Sequence, residues 1–215
     1  KVGGILANDK YRADFIYENL QIQNNLIHGA FINNVKKLIF LGSSCVYPNS
    51  FKRHILEKDL LTSGLEKTNE PYAIAKIAGI KLCENYMKQY KKNFICLMPT
   101  NTFGPGDNYD LNKSHFIPAL IKKIHLLKKH NGKILKIWGS GKVKREVIFV
   151  DDLAEACIFF MKKKVQNNLI NIGTGKDYSI NWYAKEISRI LKVKTILVHD
   201  KTKPDGTKRK VLNIN

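Results

Sequence analysis

Short, wholly apolar runs alternate with longer amphipathic ones along these 215 residues, and few folds tolerate that rhythm. Residues 37–42, 93–98, 134–138, 146–150, 168–172 and 195–199 read as strands, the first two as fully buried ones. Residues 12–33, 71–90, 116–129, 151–163 and 180–191 carry apolar residues at helical spacing, as in Ile117, Leu120, Ile121, Ile124 and Leu127. Pro71 suits a first helical turn, and Asp151 or Asp152 is expected to cap its helix. Strands alternating with helices imply a mostly parallel α/β sheet with right-handed crossovers.

The charge of +19 raises nucleic acid as a partner, but its distribution argues against it. The basic residues are mostly lysines, clustered at 36–37, 91–92, 122–123, 128–129, 162–164 and 208–210, at helix ends and turns all along the chain. No aromatic residues interleave with them, so a solvated surface is expected, with no nucleic acid and no membrane partner. No apolar run reaches the 18 or so residues that a membrane span needs. The four cysteines, at 45, 83, 96 and 157, form no Cys-x-x-Cys pair, which suits a reducing cytoplasm and leaves no metal site in view.

Tyr72 and Lys76 stand four apart on a helix, hence on one face. An ammonium beside a phenol favours the phenolate, so Lys76 is expected to lower the pKa of Tyr72 from about 10 and make it a usable proton donor. Such a pair alone is weak, but Gly42-Ser43-Ser44-Cys45-Val46-Tyr47-Pro48 follows the strand at 37–42, and Pro99-Thr100-Asn101-Thr102-Phe103-Gly104-Pro105-Gly106 follows the next. In a parallel sheet, ligands sit outside the carboxyl ends of the strands, which places Ser43 beside the tyrosine.

Ser-Ser-Cys-Val-Tyr-Pro at 43–48, Asn-Glu-Pro-Tyr-Ala-Ile-Ala-Lys at 69–76 and Pro-Thr-Asn-Thr-Phe-Gly-Pro-Gly-Asp-Asn at 99–108 resemble the extended short-chain dehydrogenase/reductase family. Cys45 together with His115 narrows the resemblance to its 3,5-epimerase/4-reductase branch, which acts on GDP-4-keto-6-deoxy-mannose. The likeness continues through Asn112-Lys-Ser-His115, Trp138-Gly-Ser-Gly, Arg145-Glu and Lys203-Pro-Asp-Gly-Thr-Lys-Arg-Lys210, and so covers nearly the whole chain.

The resemblance implies a Rossmann-type doubly wound sheet and a smaller carboxyl-terminal substrate-binding α/β subdomain. It gives residues 1–110 to the NADP-binding domain and 111–215 mainly to the substrate side, with 146–175 returning to the sheet. Cys45 would be the base and His115 the acid for epimerisation at carbons three and five. Ser43 would hold the ketone, Tyr72 would protonate its oxygen, and Lys76 would tune Tyr72 and hold the nicotinamide ribose. Leu41, Gly42, Ser43, Ser44, Lys76, Pro99, Thr100, Asn101, Thr102 and His115 would line the NADP(H) site. Lys123, Trp138, Arg145 and Asp205 would bind the GDP-sugar, and the helices at 12–33 and 71–90 would pair with their copies in a homodimer.

Two features depart from that pattern. No Gly-x-x-Gly-x-x-Gly run occurs, and the chain begins Lys1-Val-Gly-Gly without an initiator methionine. The first strand–helix steps, about 30–60 residues, are expected upstream of Lys1, and the carboxyl-terminal helices beyond Asn215. The isolated chain is therefore expected to bind the cofactor poorly. Two other readings stand beside this one: a nucleotide-sugar 4-epimerase or dehydratase, which keeps Ser, Tyr and Lys without needing Cys45 or His115, and a basic nucleic-acid-binding or inactive fragment.

Overall fold

A computed structural model describes residues 3–49, 51–111, 113–203 and 205–215. Lys1, Asn112 and Pro204, named in the motifs above, lie outside the described residues. In chain order the elements are α1 (Ile5–Lys10), α2 (Arg12–Ile32), β1 (Lys37–Leu41), α3 (Glu70–Tyr90), β2 (Asn93–Pro99), β3 (Asn101–Phe103), α4 (Phe116–Lys129), β4 (Ile134–Trp138), β5 (Lys144–Phe149), α5 (Val150–Lys162), β6 (Leu169–Ile172), β7 (Asp177–Ser179), α6 (Ile180–Ile190) and β8 (Ile196–Asp200).

β2 is the centre of a parallel sheet ordered β1-β2-β6. Its residues Phe94–Met98 are all buried, which explains an unbroken apolar run where a half-exposed strand would alternate. α2 and α3 pack side by side, and α2 turns Phe15, Asn19, Gln23, Ile27 and Ala30 inward at spacings of three and four. A core of Ile27, Tyr47, Ile55, Ile80, Phe94 and Met98 fills the space between these helices and the sheet. A second core, from Ile117, Leu120, Ile124, Leu135, Ile137 and Tyr183, joins α4 and α6 to the parallel pair β4 and β8. Leu97, Ile148 and Ile172 connect the two halves beneath Leu153, Ala156 and Phe160 of α5.

The mostly parallel α/β reading holds: β1/β2, β2/β6, β3/β5 and β4/β8 are parallel, and β5/β7 is antiparallel. Three short elements, α1, β3 and β7, went unread because six or three residues are too few to show a period. α5 begins at Val150 with Phe149 in the cap position, so neither Asp151 nor Asp152 is the cap. Both sit in the first turn, where carboxylates favour the positive end of the helix dipole. Among the described residues no helix is long and apolar enough to cross a membrane.

Candidate active site

The parallel register brings β1 and β2 to a common end. Leu41 lies opposite Leu97, the Gly42 N–H donates to the Leu97 carbonyl at 2.8 Å, and the Thr100 N–H donates to that of Ile172 at 3.0 Å. A side chain at position 42 would require the end of the Met98 side chain to move. A Cβ there would stand 2.5 Å from the Met98 sulfur, so glycine lets Met98 pack close to the backbone as it leaves the sheet. Beyond these strand ends lies a cavity of ≈ 380 Å³, and Gly42, Ser43, Ser44, Cys45, Tyr72, Pro99, Thr100, Asn101, Thr102, His115 and Arg145 line it. Residues separated by up to about a hundred positions in sequence thus meet in one hollow. A wider hollow of ≈ 810 Å³ around Leu56, Glu84, Asn168 and Ile214 contains none of the sequence-predicted site residues.

Ser43 caps a short 3₁₀ turn, its hydroxyl accepting from the Cys45 N–H at 3.2 Å, and this fixes Cys45 relative to the serine. Tyr72 reaches the same space from the first turns of α3. Its phenol is pushed well above its ordinary range, first by burial and then by the facing Cys45, while nearby Ser43 pulls it back. The expectation that Lys76 lowers Tyr72 is not met here. The Lys76 ammonium donates to the Leu41 carbonyl at 2.9 Å and lies 4.8 Å from the centre of the Phe40 ring, against 5.9 Å from that of Tyr72. Burial outweighs so oblique a contact, and it also holds Lys76 itself below the ordinary lysine range.

His115 occupies the cap position of α4 without capping it through its side chain. The residue as a whole is exposed, but protein crowds the imidazole; this crowding holds it below the ordinary histidine range, with Asp107 pulling the other way. Arg145, on β5, directs three hydrogen bonds at carbonyls and keeps donors to spare: Nη1 to Lys144 at 2.8 Å and Thr207 at 2.6 Å, Nη2 to Asp205 at 3.4 Å. Its neighbour Glu146 is 0% exposed. One carboxylate oxygen accepts from the N–H groups of Thr174 and Gly175 at 2.6 and 2.7 Å, the other from that of Leu212 at 2.8 Å. Its own carbonyl accepts from Thr100 and Asn101 side chains at 3.1 and 3.0 Å. Glu146 thus ties the floor of the cavity to two distant loops.

Five predicted residues, Leu41, Lys76, Lys123, Trp138 and Asp205, fall outside the cavity lining. Leu41 contributes only its carbonyl, to Lys76. Lys123, Trp138 and Asp205 form a separate surface group at the end of β4. Lys123 and Lys203 lie 5.3 and 5.7 Å from the centre of the Trp138 ring, and Asp205 accepts from the Ser140 N–H at 2.7 Å. Gly139 permits this fold-back: at φ +70° its Cβ would stand 2.2 Å from the Asp205 carboxylate. Arg145 touches both groups, through the cavity lining and through Asp205.

Sequence reasoning missed Asn8, Glu66, Asn69 and Lys210 in the lining. Asn69 and Lys210 sit inside motifs quoted above, but nothing in their spacing marks them as inward-facing. The Oδ1 atoms of Asn8 and Asn69 are buried without a hydrogen-bond partner. Together with the hydroxyls of Ser43, Thr100 and Thr102 they make a cradle suited to a ligand rich in donors, as a nicotinamide ribose or a sugar is.

Ser43 and Tyr72 line a cavity at the carboxyl edge of a parallel sheet, where α/β folds of the dinucleotide-binding type hold their ligands. Residues 1–173 match the model of the NAD dependent epimerase/dehydratase family, and the chain belongs to that family. It is 52% identical over 213 residues to a GDP-L-fucose synthase of Sinorhizobium fredii, covering 99% of this chain and 68% of the relative. It is 48% identical over 223 residues to the GDP-L-fucose synthase of Escherichia coli, covering 100% and 70%. A GDP-mannoheptose C4 reductase from Campylobacter jejuni, solved with NADP bound, superposes with a TM-score of 0.84 at 38% identity, over 96% of this chain and 70% of that one.

Proposed function

We propose that this protein epimerises GDP-4-keto-6-deoxy-D-mannose at carbons three and five and then reduces carbon four, with NADPH, to GDP-L-fucose. The observation that carries the reading is the presence of Cys45 and His115 in the same cavity as Ser43 and Tyr72. A ketone reductase needs only the serine, tyrosine and lysine. A thiol and an imidazole beside them supply the second, carbon-acid chemistry.

Ser43 holds the C4 ketone oxygen, which acidifies the protons on the flanking carbons. Cys45 removes such a proton, the electron pair moves into the enolate, and His115 returns a proton to the opposite face. Burial makes His115 a stronger acid than free histidine, which suits that role. Tyr72 then protonates the C4 oxygen. Leu41–Ser44, Lys76, Pro99–Thr102 and His115 would hold NADPH, which when bound supplies the hydride. Trp138, Lys123, Arg145 and Asp205 would bind the GDP portion, an aromatic face and cations being suited to a base and a diphosphate.

The same reading gives residues 1–110 to the cofactor side and 111–215 mainly to the substrate side. The pairing of β6 with β2 supports a return of 146–175 to the first sheet. It also pairs two copies through α2 and α3, where Ile22, Leu26 and Ile74 are exposed. Ile77 and Ile80 of α3 belong to the core instead. Four free cysteines fit a cytoplasmic setting.

The test is a substrate panel with the full gene product. NADPH oxidation is expected with GDP-4-keto-6-deoxy-mannose and not with UDP-sugars. Turnover confined to another sugar nucleotide would overturn the assignment.

A further inference from the structure

Asn8, on α1, is 7% exposed and lines the cavity. Its Nδ2 donates to the Gly3 and Gly4 carbonyls at 2.7 and 3.1 Å. Only the NH₂ end of a carboxamide can serve two carbonyls, so these bonds fix which way the amide faces. Oδ1 is left at the other end, and among the described residues this buried atom meets no donor. A buried acceptor is costly to leave unpaired, so one in a cavity wall points to a ligand that donates.

The segment that carries Asn8 is held against the chain just before His115. The Gly4 N–H donates to the Lys113 carbonyl at 3.1 Å. A Cβ at Gly4 would stand 2.8 Å from the Ser114 carbonyl oxygen, so glycine allows the two backbones to approach this closely. Asn69 supplies a second buried and unpaired Oδ1 to the lining, three residues before Tyr72. Ser43 and Tyr72, by contrast, bring hydroxyls that can donate. The walls thus offer donors at some points and bare acceptors at others. A ketone oxygen only accepts, whereas a sugar hydroxyl also donates, so such walls sort the two groups of one ring.

We propose that Asn8 is a specificity-determining residue that accepts a hydrogen bond from a hydroxyl of the hexose, and so directs the ring's ketone to Ser43. The proposal deepens the proposed function and rests on it for the identity of the hexose. The cofactor's ribose carries the same kind of hydroxyl, and the test separates the two sources.

The test is calorimetric titration of the full gene product with GDP-L-fucose, with GDP and with NADPH. Asn8→Ala is expected to weaken GDP-L-fucose about 10-fold, and to leave NADPH and GDP, which has no hexose, each within about twofold of the parent. Weakening of NADPH instead would assign Asn8 to the cofactor and overturn the proposal. Equal weakening of GDP and GDP-L-fucose, or of neither, would overturn it too. Asn8→Asp is the second variant, because it keeps an oxygen acceptor and gives up both bonds to the glycine carbonyls. It is expected to hold GDP-L-fucose within about threefold of the parent while its thermal transition falls. A 10-fold loss there would make the amide a mere prop for residues 3–4 and overturn the proposal. A parent that binds no GDP-L-fucose refutes the proposed function and this inference with it; a parent that binds it as tightly as both variants do refutes the role of Asn8 alone.

Discussion

Lys76 and Lys123 each reach from a helix over an aromatic ring near a strand end. Lys76 comes from α3, lies 4.8 Å from the Phe40 ring centre and donates to the Leu41 carbonyl of β1. Lys123 comes from α4, lies 5.3 Å from the Trp138 ring centre and donates to the Lys136 carbonyl of β4. Burial lowers both from the ordinary lysine range, and Lys136 adds a like-charge push on Lys123. The local construction is the same, but the two strands lead into different surroundings. β1 runs into Gly42-Ser43 and a cavity holding a thiol, a phenol and an imidazole. β4 runs into Gly139 and ends on a tryptophan that is 38% exposed. The helix-borne lysine over a ring is thus common to both regions, and the loop after the strand sets what surrounds it: on the proposed reading, chemistry at Lys76 and surface recognition at Lys123.

If that division is right, substitutions in the two regions should fail in different ways. The largest effect is expected from Tyr72→Phe, which removes the proton donor. kcat for ketone reduction should fall about 10³-fold, with KM within about threefold, in steady-state NADPH oxidation. A drop of tenfold or less would move the donor role elsewhere in the cavity. Glu146→Gln should act on both regions through the fold. The amide must turn its NH₂ toward at least one of the three N–H groups now received, so chemical denaturation should show a loss of about 2 kcal/mol. Stability equal to the parent would mean that the 173–175 and 212 loops are held without it.

Trp138→Ala should raise KM about tenfold and leave kcat within about twofold, because the surface group binds and does not react. A kcat loss larger than the KM change would merge the two regions. The smallest effect is a titration. Burial disfavours the charged imidazole, so the NMR midpoint of His115 should lie below the ~6.5 of a free histidine, Asp107 opposing only in part. A midpoint at or above that value would mean that Asp107 outweighs the crowding by protein.

Much of this division could be read from the chain. The apolar run 94–98 and the Tyr72–Lys76 spacing are local patterns, the long strands and the helices came out close to their observed places, and Ser43, Cys45, Tyr72 and His115 line one cavity. What escaped depended on tertiary neighbours. The spacing of Tyr72 and Lys76 suggested a lowered phenol, but the lysine turns to Leu41 and burial decides the sign. Lys210 lies in an irregular tail whose direction is set by contacts with Lys144 and Ile55. Glu146 looks like half of an Arg-Glu pair in sequence, and only the fold shows that its partners are backbone N–H groups near 174 and 212.

One cavity is proposed to perform carbon-acid chemistry and carbonyl reduction in turn. That proposal is tested most directly by turnover of GDP-4-keto-6-deoxy-mannose in D₂O, with the product examined by NMR. The account predicts deuterium at both carbon three and carbon five, lost on Cys45→Ser about 100-fold more than reduction of a pre-epimerised ketone is lost. A reduced product carrying no solvent deuterium at either carbon would contradict it.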